Sequence, residues 1–126
     1  MVFRKFEEME VWQDGRKMVA SIYAQTSSGG LAKDLGMKDQ MRRAAVSICS
    51  NIAEGYARRG NKELVKFLWI AKGSAAEVQS QLYNALDIGY ITKQAFDLHY
   101  SDLNKIQSKL YRLIQSLSAD AERKKI

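Results

Sequence analysis

Residues 64–85 read LVKFLWIAKGSAAEVQSQLYNA, and their spacing decides the fold. Leu64, Leu68, Ala71, Ala75, Val78, Leu82 and Ala85 follow one another at alternating intervals of four and three residues. Such a repeat draws one apolar seam along a helix and packs it against its neighbours with a left-handed twist. Strand-like alternation is absent here and along the rest of the chain.

The same spacing returns further on, in Phe96, Tyr100, Leu103, Gln107, Leu110, Ile114 and Leu117. Gly89 stops the first of these helices and Thr92 suits the cap of the second. Upstream, Met41, Ala45, Ile48, Ile52 and Tyr56 mark the buried face of a helix from about Lys38 to Arg58. Gly60 suits a left-handed residue closing it, and Asn61 suits the cap that opens the next helix. A further helix from about Glu8 to Thr26 has the stripe Met9, Trp12, Val19, Ile22 and Tyr23. Glu7, Glu8 and Glu10 stand near its start, where the helix dipole favours acids, and Ser27-Ser28-Gly29-Gly30 breaks it. Short connections make sequential helices antiparallel neighbours. The predicted fold class is therefore all-α: an antiparallel up-down-up-down four-helix bundle. It forms one domain over 1–126, in which 121–126 is a polar tail expected to fray.

Composition agrees with this reading. A chain of 126 residues, 46% hydrophobic, with no Pro and eight Gly, is long enough to enclose a core. Its apolar runs are too short to cross a bilayer, and the opening MVFRKFEEMEVWQ has charge on both sides of its apolar residues. With one cysteine there is no internal disulfide framework, so a cytoplasmic protein without membrane attachment is expected. The net charge of +6 is unevenly placed: between Gln40 and Ala75 seven basic residues face two acidic ones. A local excess of this kind says more about partners than the overall charge does.

Within RRAAVSICSNIAEGYARRG, residues 42–60, the helix carries Ser47, Ser50, Asn51 and Glu54 at i, i+3, i+4 and i+7. They share one face, extended by Gln40 and Arg43 on one side and Arg58 on the other. The next helix offers Gly73, Ser74, Glu77 and Gln81 as a matching pattern. Small residues let backbones approach and flanking polar groups bond across the gap, so these positions predict a polar network between helices or subunits. A catalytic or metal role for Glu54 and Glu77 fails on composition. Di-iron bundles use Glu-x-x-His, whereas the one histidine, His99, has Phe96 three residues before it. Cys49 reads as a small hydrophobe, Gly29-Gly30 as a turn, and Trp12 and Trp69 as core or interface. No cofactor, metal or enzymatic activity is expected.

Arg58, Arg59, Lys62 and Lys66 crowd the turn between the second and third helices, with only Glu63 among them. Arg42 and Arg43 lie at the other end of the second helix, roughly 24 Å away at about 1.5 Å per residue. That separation suits an extended polyanion better than one small phosphate.

The segments QMRRAAVSICSNIAEGYARR and KFLWIAKGSAAEVQSQL resemble the four-helix-bundle family named for proteins encoded in intervening sequences of bacterial 23S rRNA genes. FEEMEVWQDGRKMV is similar to the family's usual opening around a Trp, so the resemblance spans most of the chain. It implies a homopentameric ring lined by basic residues. It also implies kinship with accessory proteins of diversity-generating retroelements, which bind a reverse transcriptase and nucleic acid. Arg42, Arg43 and Arg58 match the family's basic positions, and Ser50, Asn51, Glu54, Gly55, Gly73, Ser74 and Glu77 match its polar motif. Two departures stand out: Leu31-Ala32 where the family usually has Phe-Pro, and Gly60 where it usually has Ser.

The function expected is a non-catalytic pentamer whose basic face (Arg42, Arg43, Arg58, Arg59, Lys62 and Lys66) binds structured RNA or other nucleic acid. The alternative is a scaffold docking a protein such as a reverse transcriptase. Phe67, Trp69 and Ile70, beside the Leu64–Leu68 seam, leave more apolar surface than one four-helix core needs, which favours self-assembly. If the polar face is buried, Asn51→Ala and Glu54→Ala should each cost about 1–3 kcal/mol in thermal melts.

Overall fold

A computed structural model describes the backbone of residues 3–125 and the side chains up to residue 120. A single 3-10 turn, Phe6–Glu8, leads into α1 (Glu10–Gln25), the short α2 (Gly29–Lys33), α3 (Leu35–Ala57), α4 (Asn61–Ile88) and α5 (Lys93–Lys125). The described residues contain these helices and no strand. They pack as a helical bundle in which α4 lies between α3 and α5, and α1 closes against both.

All seven seam residues of α4 are buried, as are Met41, Ala45, Ile48 and Ile52 of α3. In α1 the buried positions are Val11, Gly15, Met18 and Ile22, a seam turned slightly from the expected stripe. The cause is Gly15, invisible as an apolar residue. A β-carbon there would sit 2.9 Å from the Cys49 sulfur, so α1 packs tightly on α3 at its glycine. Burial pushes the Cys49 thiol up to about 11, against a smaller opposing pull from Arg16, so it stays protonated inside this contact.

Helix ends explain where the boundaries differ from expectation. Asp34 caps α3, accepting from the Met37 amide at 3.1 Å, and so starts the helix three residues before Lys38. Tyr90 holds Asp34 from the far side, its hydroxyl donating to the carboxylate at 3.0 Å. Gly89 ends α4 with φ 89, while the Gly89 and Tyr90 amides return to the carbonyls of Leu86 and Ala85. Thr92 caps α5 as expected, accepting from the Ala95 amide at 3.1 Å. At the α3–α4 corner the expectation fails. The left-handed residue is Arg59, with φ 56, while Gly60 is extended and caps α4 in place of Asn61. The polar end at 121–126 is helical in its backbone as far as Lys125, and Ile126 lies outside the described residues.

Polar links tie α5 to its neighbours at three levels. Lys109 of α5 donates to Glu10 and Asp14 of α1, both at 2.6 Å. Gln107, placed in the apolar seam by its spacing, donates to Gln79 at 2.6 Å, and Gln79 in turn donates to Asn104 at 2.9 Å. At the third level His99 Nε2 meets the Gln25 side-chain oxygen at 3.0 Å, which makes the imidazole the donor. Its Nδ1 is buried without a partner. Desolvation lowers the His99 pKa, and the nearby Asp102 offsets this only in part.

The sign of the resulting pH effect follows. The unfolded chain takes up a proton as pH falls below about 6.5, and the folded chain does so only at lower pH. Stability held above that pH should therefore be lost as pH falls from 6.5 toward the folded value. Thermal melts at pH 7.5 and 5.5 should show a larger drop for wild type than for His99→Gln, which cannot charge. Equal drops would show that His99 does not contribute.

Candidate nucleic-acid interface

The predicted polar face divides in two. Ser47 and Ser74 bond across α3 and α4 at 2.9 Å, Ser74 also donates to its own Ile70 carbonyl, and Asn51 donates to the Ser47 hydroxyl at 2.9 Å. These three are brought together. Ser50, Glu54 and Glu77 are exposed on the same side of the chain. Glu54 has an exposed partner, Arg58, at 3.3 Å. Small side chains at Ser47, Gly73 and Ser74 hold this side of the α3–α4 contact shallow, and Val46 and Ile70 stand partly open beside them.

The predicted basic residues divide as well. Arg42 is half-buried and engaged within the chain. Its Nε donates to the Thr26 hydroxyl at 2.8 Å and its Nη2 to Ser27 at 3.1 Å, while the guanidinium lies 4.2 Å from the centre of the Tyr23 ring. It clamps the end of α1 to the start of α3, so part of the hydrogen-bonding capacity of this expected nucleic-acid contact is used within the chain. Its partners Tyr23, Thr26 and Ser27 were missed because they lie in the segment read as the end of α1 and a breaking turn. Arg43 is exposed and pairs with Asp39 one turn earlier at 2.8 Å. It borders an open depression of about 1010 Å³ that Tyr23, Leu35, Val46, Ser47 and Ser50 also line.

The other four meet at the α3–α4 corner. Arg58, Arg59, Lys62 and Lys66 are all exposed. Arg58 rests over Phe67, its guanidinium 5.3 Å from the ring centre, so an apolar surface orients it. Arg59 projects from a left-handed backbone position that an L-residue adopts at a cost of roughly 1 kcal/mol. On α3, positions 43, 47, 50, 54 and 58 share a face, so Arg43 and Arg58 lie along one side of the helix. Among the described residues no group of three or more His, Cys, Asp or Glu side chains is placed to hold a metal. No helix among them is long and apolar enough to cross a membrane.

The molecule is thus a helical bundle with clustered exposed cations at one corner and a small-residue polar contact between its two most extensively packed helices. The chain belongs to the 23S rRNA-intervening sequence protein family, whose pattern it matches over residues 7–112. A solved structure from Bacteroides thetaiotaomicron, described as a protein of unknown function from the S23 ribosomal protein family, shares the fold. It superposes with a TM-score of 0.77 at 23% identity, covering 83% of this chain and 95% of that one. No curated protein matches the chain.

The exposure of Glu54 revises the mutational expectation. Asn51→Ala removes a partly buried hydrogen bond and should cost about 0.5–1.5 kcal/mol. Glu54→Ala removes an exposed ion pair and should cost roughly 0–1 kcal/mol in the isolated chain. Thermal melts at low protein concentration should rank them in that order. A larger loss for Glu54→Ala would place its carboxylate in a contact made between copies of the chain.

Proposed function

We propose that this chain is a one-domain, non-catalytic, cytoplasmic protein that assembles as a homopentamer and binds structured RNA through phosphate contacts. The observation that carries the reading is the α3–α4 corner. Arg58, Arg59, Lys62 and Lys66 are exposed within about two helical turns, and Arg58 has the exposed Glu54 beside it at 3.3 Å. Phosphate is the ligand that clustered guanidinium and ammonium groups recognise without reading sequence. Arg43 extends the surface along α3. Arg42 supports it from beneath by holding α1 in place, so the contacts are assigned to the other five cations. The family's name, which refers to an rRNA intervening sequence, favours RNA as the polyanion.

The up-down-up-down antiparallel order is part of this reading. It is supported by pairings that run in opposite senses: Arg42 with Thr26, then Tyr56 with Phe3 on the same two segments, and Gln25 with His99 against Asp14 with Lys109. Self-assembly is supported by Val46 and Ile70, exposed beside the small residues of the α3–α4 face. The same apolar pair favours a second reading, a scaffold that docks a protein partner such as a reverse transcriptase.

Salt titrations of binding to two unrelated structured RNAs test the proposal. Arg58→Ala with Arg59→Ala should weaken both RNAs alike and make the log–log salt slope shallower by roughly one unit for each phosphate that is no longer neutralised. Lys17→Ala with Lys105→Ala, which removes two charges from the α1–α5 cleft, should leave affinity largely unchanged. An equal weakening by both pairs would move the site away from the corner, and no binding by wild type at low salt would favour the scaffold. Light scattering should give a pentamer mass, and a monomer at micromolar concentration would overturn the assembly.

A further inference from the structure

On the opposite flank of α4, Trp69 meets Tyr111 of α5 edge to face, with ring centres 6.3 Å apart and planes at 71°. Both rings stay about half open to solvent, at 46% and 47% exposure. Trp69 is not an incompletely buried core residue, because its neighbours Leu68 and Ala71 supply the core at that level and are fully buried. The Lys72 ammonium lies 5.8 Å from the Trp69 ring centre, and Lys66 stands one turn before Trp69 on the same helix. No carboxylate occurs within four residues of either aromatic, and Ser108 and Gln115 are the exposed neighbours of Tyr111.

An open indole braced by a phenol and flanked by lysines has the two chemistries that a single-stranded nucleic acid requires. The ring face stacks on a base, and the ammonium groups meet the phosphates on either side of it. We propose that Trp69 and Tyr111 form a stacking platform for an unpaired base of single-stranded RNA, with Lys66 and Lys72 on the flanking phosphates. The platform rests on the nucleic-acid reading above and adds to it an adjoining patch, joined to the corner through Lys66, with a different substrate. Bases inside a duplex are already stacked and cannot reach these rings. The lysines and the absence of acids favour a polyanion over an apolar protein surface.

The test uses the full chain carrying Trp12→Phe, so that Trp69 is the one tryptophan left. Three labelled probes are compared by anisotropy: oligouridylate, an abasic strand of equal length and charge, and a blunt RNA duplex. Oligouridylate should quench Trp69 fluorescence and bind more tightly than the abasic strand. Trp69→Ala and Tyr111→Ala should each weaken oligouridylate binding about tenfold, a change within the range of one stacked base. Trp69→Phe should restore most of it. Duplex and abasic binding should be the same in all variants. The platform is overturned if the abasic strand binds as well as oligouridylate, or if Trp69→Ala weakens all three probes alike. It is overturned equally if Trp69→Ala lowers the mass of the assembly, since a second copy would then cover the rings. Failure of wild type to bind any probe would remove the nucleic-acid reading as a whole. Duplex binding that persists, with no loss of oligouridylate in Trp69→Ala, would remove the platform alone.

Discussion

At Gly55, α3 presses so closely on α4 that no β-carbon fits between them. One would lie 2.6 Å from the β-carbon of Phe67 and 3.1 Å from the side chain of Leu64. Those neighbours belong to the packed core and to the ring beneath Arg58, so neither can withdraw cheaply. Because the helices touch here, the chain has only Arg58, Arg59 and Gly60 in which to reverse direction. A turn so short forces one residue into the left-handed region, and the strain falls on an arginine although a glycine follows it. The cations at the corner are therefore consequences of the packing: the contact that closes the fold also crowds them together and turns them outward.

The polar contact further along the same pair of helices fixes register. Ser47 and Ser74 are each small enough to let the backbones approach and each carries a hydroxyl that must be satisfied once buried. Sliding α3 by one turn would part them and break the hydrogen bond that joins the two helices, leaving each hydroxyl only its partner on its own helix. Gln79, Asn104 and Gln107 impose a similar condition on α4 and α5, since their amides satisfy one another at 2.6 and 2.9 Å. α4 is held in register on both sides by hydrogen bonds, while its apolar seam provides the less specific adhesion.

Elements governed by periodicity were legible in the sequence, and those governed by pairing were not. The α4 seam could be read residue by residue, because a 4-3 repeat over several turns has no other interpretation. The start of α3 could not, because Asp34 caps it from within a segment whose glycines and serines resemble a loop. Gln107 fitted the seam by spacing alone, and nothing local announces that Gln79 meets it. Spacing assigns Glu54 to a face, but depth is a property of the neighbouring helix, and position 54 is exposed. Arg42 illustrates the same limit for charge. Its sequence context matches that of Arg43, yet one guanidinium is spent on the end of α1 and the other faces solvent.

That difference decides how positive charge is distributed over the molecule. Lys109 and Arg42 each have several hydrogen-bond partners, and both are partly buried at joints of the α1 helix. Held between two carboxylates, Lys109 has its pKa raised, first by Asp14 and then by Glu10. The cations at the α3–α4 corner are exposed, Arg58 with Glu54 beside it. Where α1 packs on α5 and on the start of α3, Lys109 and Arg42 are engaged within the chain, whereas the corner cations lie at the other end of α3 and on α4. Under the proposed function a polyanion would meet the corner cations of α3 and α4 first, without any residue on those helices having to be unusually basic.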